Sequence, residues 1–414
     1  MVAGLALVGS VTVGMVTINM GFFIDPVSDE LPIKQSFFGW AQTARFIGAA
    51  LSGLVIGRIV DRYGARVPLA LAGVLMAGAM VALARIGNGW HLLGVFVFMG
   101  MIGLGGPGGD IYIGVPVARW FVRKRGLAMS RVFLGMPLGI LVMLPLTQFL
   151  IGHIGWRSAL IVLGVSGGVV MALIGFFVVR RQPQDMGLLP DGDPPGGSAG
   201  APTIANPGGA QPTRPVLEHS WTRAEAMRSP AFWKLSIAFG IQIFAFGAIG
   251  AFRIPYFVSR GVDPQTVSFA VSAEAISSFL VGFPLAMLLS RLQIRYIVGM
   301  GFMVVVAAFL MTITAAVAWQ VFAATLLFGT GAQSLAILQS TLWPSYFGSA
   351  HLGSIRGAAL AVMMVVGFSG GPIAGRVKDS FGSYVPVWWA AMGGVLLAAA
   401  MVALTPRPLA ARDS

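Results

Sequence analysis

Long apolar runs, each about as long as one bilayer crossing, follow one another along this chain with short charged loops between most of them. They cover 3–25, 37–59, 67–86, 91–117, 127–151, 157–179, 231–257, 265–289, 295–316, 319–344, 356–377 and 386–405, twelve in all. A helix needs about 20 apolar residues to cross a ~30 Å hydrocarbon core. Lipid offers no partner to a bare peptide group, so each run must satisfy its backbone internally, as an α-helix does. Composition agrees: 57% of the 414 residues are hydrophobic and 10% charged, with a mean hydropathy of +0.84, whereas about a quarter of a soluble domain is charged. A membrane barrel would show alternating segments of about 10 residues, and the runs here do not alternate. The expected fold is an all-α membrane protein.

The chain carries 27 Lys and Arg against 14 Asp and Glu. No basic patch with interleaved aromatics accompanies that excess, so nucleic acid is not an expected partner. Surplus Lys and Arg on cytoplasmic loops explains it better. With no Cys and four scattered His, a disulfide framework, a thiol nucleophile and a metal cluster are all unexpected, and no cofactor is implied. The first run lacks the basic leader and small-residue cleavage pattern of a signal peptide, so it reads as the first span.

The loop between the second and third runs reads Gly57-Arg58-Ile59-Val60-Asp61-Arg62-Tyr63-Gly64-Ala65-Arg66-Val67. Its Gly-x-x-x-Asp-Arg-x-Gly-x-Arg spacing resembles the motif of the major facilitator superfamily, where it forms the cytoplasmic turn between helices 2 and 3. Placing it in the cytoplasm leaves only Lys34, Arg85, Arg157, Arg260, Arg376 and Lys378 on the other face, so both termini are expected to be cytoplasmic. An eroded copy, Ser290-Arg291 with Arg295 matching Arg66, follows 229 positions later. Arg125-Gly126-Leu127-Ala128 recurs as Arg356-Gly357-Ala358-Ala359 at an offset of 231. Two matches at nearly one offset argue for twelve transmembrane helices in two pseudo-symmetric six-helix bundles. The expected domains are 1–180 and 229–406, joined by a Pro/Gly-rich linker at 181–228 and followed by a tail at 407–414. Within the linker, Trp221 to Met227 reads as a short amphipathic surface helix.

Other stretches narrow the resemblance. Ile24-Asp25-Pro26-Val27-Ser28-Asp29-Glu30-Leu31, Arg119-Trp120-Phe121 with Lys124-Arg125-Gly126-Leu127-Ala128, and Arg228-Ser229-Pro230-Ala231-Phe232-Trp233 resemble the monocarboxylate-transporter branch, which includes the oxalate/formate antiporter type. That resemblance implies alternating access to a central site for a small organic anion. Anion carriers of the branch generally place a cation in helices 8 and 11, and some a Lys in helix 1. Here Phe269 to Leu289 and Ala358 to Val366 carry none, and the first run offers only Thr12, Thr17 and Asn19.

A charge inside a span costs at least ~2.5 kcal/mol on insertion scales, so each one asks for a role and a partner. Asp110, ten residues before Trp120, and Arg131, six after Arg125, fall roughly 9 to 15 Å inside the motif face. They are expected to pair, either as a packing device or as an anion-and-proton site. Arg45 and Glu274 each precede the motif position of their half by sixteen residues, a depth of about 24 Å. They are expected to bridge as an outer gate, or else to snorkel independently. Arg253, at the outer end of the seventh run, reads as interfacial, with anion recruitment as its alternative role.

The run Gly103 to Gly109 has glycine density but neither the following Lys-Ser/Thr nor the preceding strand of a phosphate loop. It reads as close helix packing with a bend at Pro107, as do Gly367, Gly370, Gly371 and Pro372. Asn19, Tyr112, Gln242, Gln333, Ser334 and Gln339 are candidate cavity residues. The reading is a monomeric, multi-pass transporter of the bacterial inner membrane that moves a small organic anion by proton symport or exchange. Gly57, Asp61, Arg62, Gly64 and Arg66 act as its conformational latch. Efflux of amphipathic compounds and a transporter-like sensor are the alternatives; no enzymatic constellation is present.

Overall fold

The computed structural model describes residues 1–13, 20–104, 109–121, 125–180, 221–348 and 351–408. Asn19 and most of the linker lie outside these residues, as do the side chains of Asp61 and Asp110. Nine helical segments among the described residues are long and apolar enough to cross a membrane, and Val2–Thr12 and Gly89–Met101 are shorter apolar helices. Taken in order they make twelve crossings arranged as two bundles.

Several crossings that the sequence reading treats as single runs are broken. The fourth comprises Gly89–Met101 and Gly109–Trp120, the seventh Pro230–Ile249 and Arg253–Ser259, the eighth Pro264–Leu280 and Gly282–Leu289, and the eleventh Leu352–Gly367 and Gly370–Phe381. The fifth comprises Arg125–Phe133 and the helix that begins at Gly135, and non-helical Gly155 at φ 77° separates it from the sixth, which runs to Leu173. Glycine lies at or beside these breaks, and such breaks survive in lipid where neighbouring helices shelter the backbone. In the eleventh crossing the shelter is visible: Gly367 packs on Ile243, and Gly370 on the backbone of Phe244.

Each half is also tied within itself. In the first, Trp156 donates to Glu30 at 2.7 Å and Arg157 forms an ion pair with it, holding that carboxyl below the usual range. In the second, Arg223–Arg228 is a short helix with a capping box between Thr222 and Glu225. The amide of Trp221 just before it bonds the Phe347 carbonyl at 3.1 Å.

The halves meet on the face away from the Gly57–Arg66 loop. Gly39 of the second crossing (Gln35–Tyr63) lies against the backbone of Gly371, so close that a Cβ would overlap it. Four residues on, Thr43 donates to the Phe368 carbonyl at 2.8 Å. At the mouth, Asp379 accepts the amides of Gln35 at 2.8 Å and Ser36 at 3.0 Å. A carboxylate of the eleventh crossing thereby caps the second, where free N–H groups and the helix dipole favour negative charge. On the other flank Ser272 donates to the Ile140 carbonyl at 3.5 Å and Gln265 to that of Pro145 at 3.4 Å. These contacts join the halves on the face away from the motif loop.

A larger side chain at Gly39 must therefore separate the second and eleventh crossings. The chain has no native cysteine, so a Thr43→Cys reporter labels cleanly. With Gly39→Leu in the same chain, maleimide labelling of that cysteine is expected to accelerate by roughly tenfold, in keeping with the few kcal/mol of overpacking strain; an unchanged rate would show that this face is not held by the glycine contact.

Candidate central cavity

A cavity of about 500 Å³ lies between the halves. Val13, Phe133, Leu134, Met136, Pro137 and Ile140 form its first-half wall together with Ser130. Glu274, Ala275, Ser278, Phe279 and Gln333 form the other. One wall is thus mostly apolar, and the other carries a charge and hydrogen-bonding groups.

Local chemistry places Glu274. Asp263 caps the eighth crossing by accepting the amide of Thr266 at 2.8 Å, and Pro264 occupies the first turn, where a proline loses no hydrogen bond. Glu274 follows eleven residues later, about halfway along this helix-and-continuation. Gly329 of the tenth crossing (Ala318–Phe347) packs directly on it. A Cβ there would come within 2.6 Å of both the Glu274 Cγ and its carbonyl. The Gly329 carbonyl in turn accepts from Ser278 at 3.1 Å.

The partner of Glu274 is Arg253, whose guanidinium donates to its carboxylate in an ion pair. Arg253 opens the second segment of the seventh crossing and is only 3% exposed. Its guanidinium carbon lies 4.3 Å from the centre of the Phe328 ring, which is itself packed on Phe246 at 5.0 Å. The arginine Nε is buried with no partner among the described residues. Glu274 lines the cavity and Arg253 does not, so the carboxylate screens an arginine with unused hydrogen-bonding capacity.

This arrangement corrects two expectations. Arg253 is not interfacial: the break before it turns it into the bundle. Arg45 and Glu274 do not bridge in this conformation, because each is turned into its own half. The backbone of Arg45 lies against Gly100 of the fourth crossing. Its Nε donates to Gln42 at 3.1 Å, its guanidinium carbon is 4.7 Å from the Phe46 ring, and its buried Nη2 has no partner among the described residues. The face of the second crossing that meets the other half carries Gly39 and Thr43 instead.

The other candidates divide. Gln333 joins Glu274 at the cavity. Tyr112 donates to the Ile102 carbonyl at 3.1 Å and lines a different cavity. The Gln339 amide lies 3.4 Å from the Met363 sulfur, Ser334 is buried, Gln242 is half-buried, and Arg131 is exposed. In the motif loop Gly64 ends the second crossing at φ 80°, Gly57 is half-buried, and Arg62 stacks on Tyr63 at 5.4 Å. Arg66 donates to the Phe176 carbonyl at 2.9 Å.

A buried pair of this kind leaves a signature when broken. Removing one partner strands a charge at a cost of about 3 to 5 kcal/mol, whereas replacing both by apolar groups of similar size is often neutral. Glu274→Leu is expected to lower the unfolding midpoint in detergent well below that of the double variant Arg253→Met/Glu274→Leu. Additive losses would show that the two side chains do not act as a pair.

The Major Facilitator Superfamily family model matches residues 5–368. The oxalate:formate antiporter of Oxalobacter formigenes is 27% identical over 259 residues, 61% of this chain and 54% of that one. Monocarboxylate transporter 3 of Rattus norvegicus is 25% identical over 385 residues, 90% of this chain and 74% of that one. The matches span 37% to 54% of the length of the first three curated relatives. A solved bacterial homolog to the human lysosomal transporter Spinster, in an inward-facing and unoccupied conformation, has a TM-score of 0.71 at 16% identity. The likeness covers 97% of this chain and 95% of that one, and it is one of fold. These relatives and structural neighbours are membrane transporters rather than enzymes. With the family model matched over most of its length, the chain belongs to the Major Facilitator Superfamily.

Proposed function

We propose that this transporter moves a small organic anion of the monocarboxylate type by alternating access, together with a proton or in exchange for a second anion. The observation that carries the reading is the ion pair of Arg253 and Glu274 at the wall of the central cavity. The antiporter and the monocarboxylate carrier among its relatives support the substrate class by their names. The charge distribution of the loops supports a cytoplasmic placement of the motif loop and both termini. The cavity then opens to the cytoplasm of a bacterial cell. The loop residues Gly57, Asp61, Arg62, Gly64 and Arg66 are proposed to latch that face when it closes.

Charge balance gives the mechanism. Arg253 and Glu274 together are neutral. An anion entering alone would leave a net negative charge in a poorly solvated site, which costs several kcal/mol. A proton delivered to Glu274 removes the competing carboxylate, and the substrate carboxylate takes its place on the guanidinium through charge-assisted hydrogen bonds. The site is neutral before and after. Ser278 and Gln333 are placed to orient the anion, and the wall formed by Val13, Phe133, Leu134 and Ile140 takes its apolar body. Exchange follows when the carrier returns with Glu274 still protonated and a second anion bound. Asp110 with Arg131 is the second candidate coupling pair.

The same apolar wall also favours a second reading, efflux of amphipathic compounds, which a ligand panel separates: hydrophobic cations would inhibit an efflux carrier and carboxylates would not. In proteoliposomes, Glu274→Gln is expected to abolish uphill uptake of labelled monocarboxylates driven by a pH gradient while retaining exchange. Arg253→Gln is expected to weaken apparent substrate affinity by roughly tenfold to a hundredfold, the equivalent of one charged hydrogen bond. Undiminished uphill uptake in Glu274→Gln would overturn the coupling role, and its loss in Asp110→Asn alone would move that role to Asp110.

A further inference from the structure

A second cavity, of about 490 Å³, lies on the motif-loop face and is lined by Gln293, Ile294, Arg295, Tyr346, Pro406 and Arg407. It sits where the ninth crossing (Ile294–Thr314) begins and the tenth and twelfth (Val385–Ala403) end. Two arginines face it, and no carboxylate lines it among the described residues.

The pseudo-symmetry of the chain lets Arg295 be compared with its counterpart in the first half. The offset of 229 pairs it with Arg66. In the first half, Arg66 donates from Nε to the Phe176 carbonyl at 2.9 Å and stacks 4.6 Å from that ring. The same offset carries Phe176 onto Thr405. There the carbonyl accepts the hydroxyl of Tyr346 at 2.7 Å. Arg295 Nε is buried without an acceptor among the described residues, and Nη2 donates to the neutral hydroxyl of Tyr296 at 2.9 Å. Stacking on Tyr296 at 4.6 Å holds the guanidinium plane. The ninth crossing adds an N-terminus whose cap residue, Gln293, supplies no side-chain hydrogen bond. A buried N–H without an acceptor is costly, and two guanidinium forks lining one cavity at a helix N-terminus match a multiply charged oxyanion.

We propose that this cavity binds a phosphate group, carried by an anionic phospholipid headgroup or by free inorganic phosphate. Its level, at the ends of three membrane crossings, is reached both from the lipid headgroups and from the aqueous phase on that side. The proposal does not depend on what the central cavity transports.

The test compares wild type, Arg295→Gln/Arg407→Gln and Tyr346→Phe in detergent. The probes are phosphatidylglycerol, phosphatidylcholine as the zwitterionic control, and inorganic phosphate, with lipid retention read by native mass spectrometry and phosphate binding by the thermal unfolding shift. If the source is lipid, wild type retains phosphatidylglycerol over phosphatidylcholine by about tenfold and the double variant loses that preference, as expected for two lost guanidinium contacts. If the source is free phosphate, the salt raises the unfolding temperature of wild type and not of the double variant. Tyr346→Phe removes a lining hydroxyl while keeping both guanidinium groups and is expected to leave most of either response intact. Arg407→Gln, which alters a residue beyond the last helix, carries the comparison if the double variant does not fold. Equal responses of wild type and the folded arginine variants to both probes would overturn the proposal.

Discussion

A charge inside a bilayer is costly unless the protein offers it a partner, and Arg253 with Glu274 is where this chain supplies one of opposite sign. The pair needs a break in the seventh crossing to turn the arginine inward, a glycine at position 329 to let the tenth crossing lie against the glutamate, and Phe328 to face the guanidinium. It also stands next to both seams between the halves. Ile254 packs on Gly21 of the first crossing, and Ser272, two residues before Glu274, reaches the Ile140 carbonyl of the fifth. The charged pair at the cavity wall thus lies within one helical turn of contacts between the halves.

The two faces are held by different physics. Away from the motif loop, backbone-to-backbone glycine contacts and a single exposed carboxylate on helix amides close the mouth. A surface interaction between a charge and a helix terminus contributes about 0.3 to 1 kcal/mol. That is enough to bias closure and small enough to release. On the motif face the described contacts of Arg62 and Arg66 stay within the first half.

The fold was legible because bilayer thickness imposes a period that no other constraint blurs. Twelve apolar runs and two matched loops were enough to give the helices and their order. The positions of the breaks were less so, since glycine permits a break without requiring one. At the site, depth counted from the motif loop put Arg45 and Glu274 at equivalent levels, but depth along an axis does not say which way a helix face turns. The missed partner carried a signal of its own. Arg253 lies ten residues before Asp263, and Glu274 eleven after it, so two antiparallel neighbours hold opposite charges at one level below a shared turn. Asp379 as a cap for the second crossing had no such signal, because its acceptor role depends on a contact more than 300 residues away in sequence.

The central claim is that the cavity stays neutral when an anion binds, because a proton arrives with it. Substrate-induced charge movement on a solid-supported membrane measures this directly. For a monocarboxylate, wild type is expected to give no net current through a complete cycle, with equal proton and substrate uptake. A sustained negative-charge current accompanying uptake by wild type, with no matching proton entry, would contradict the account.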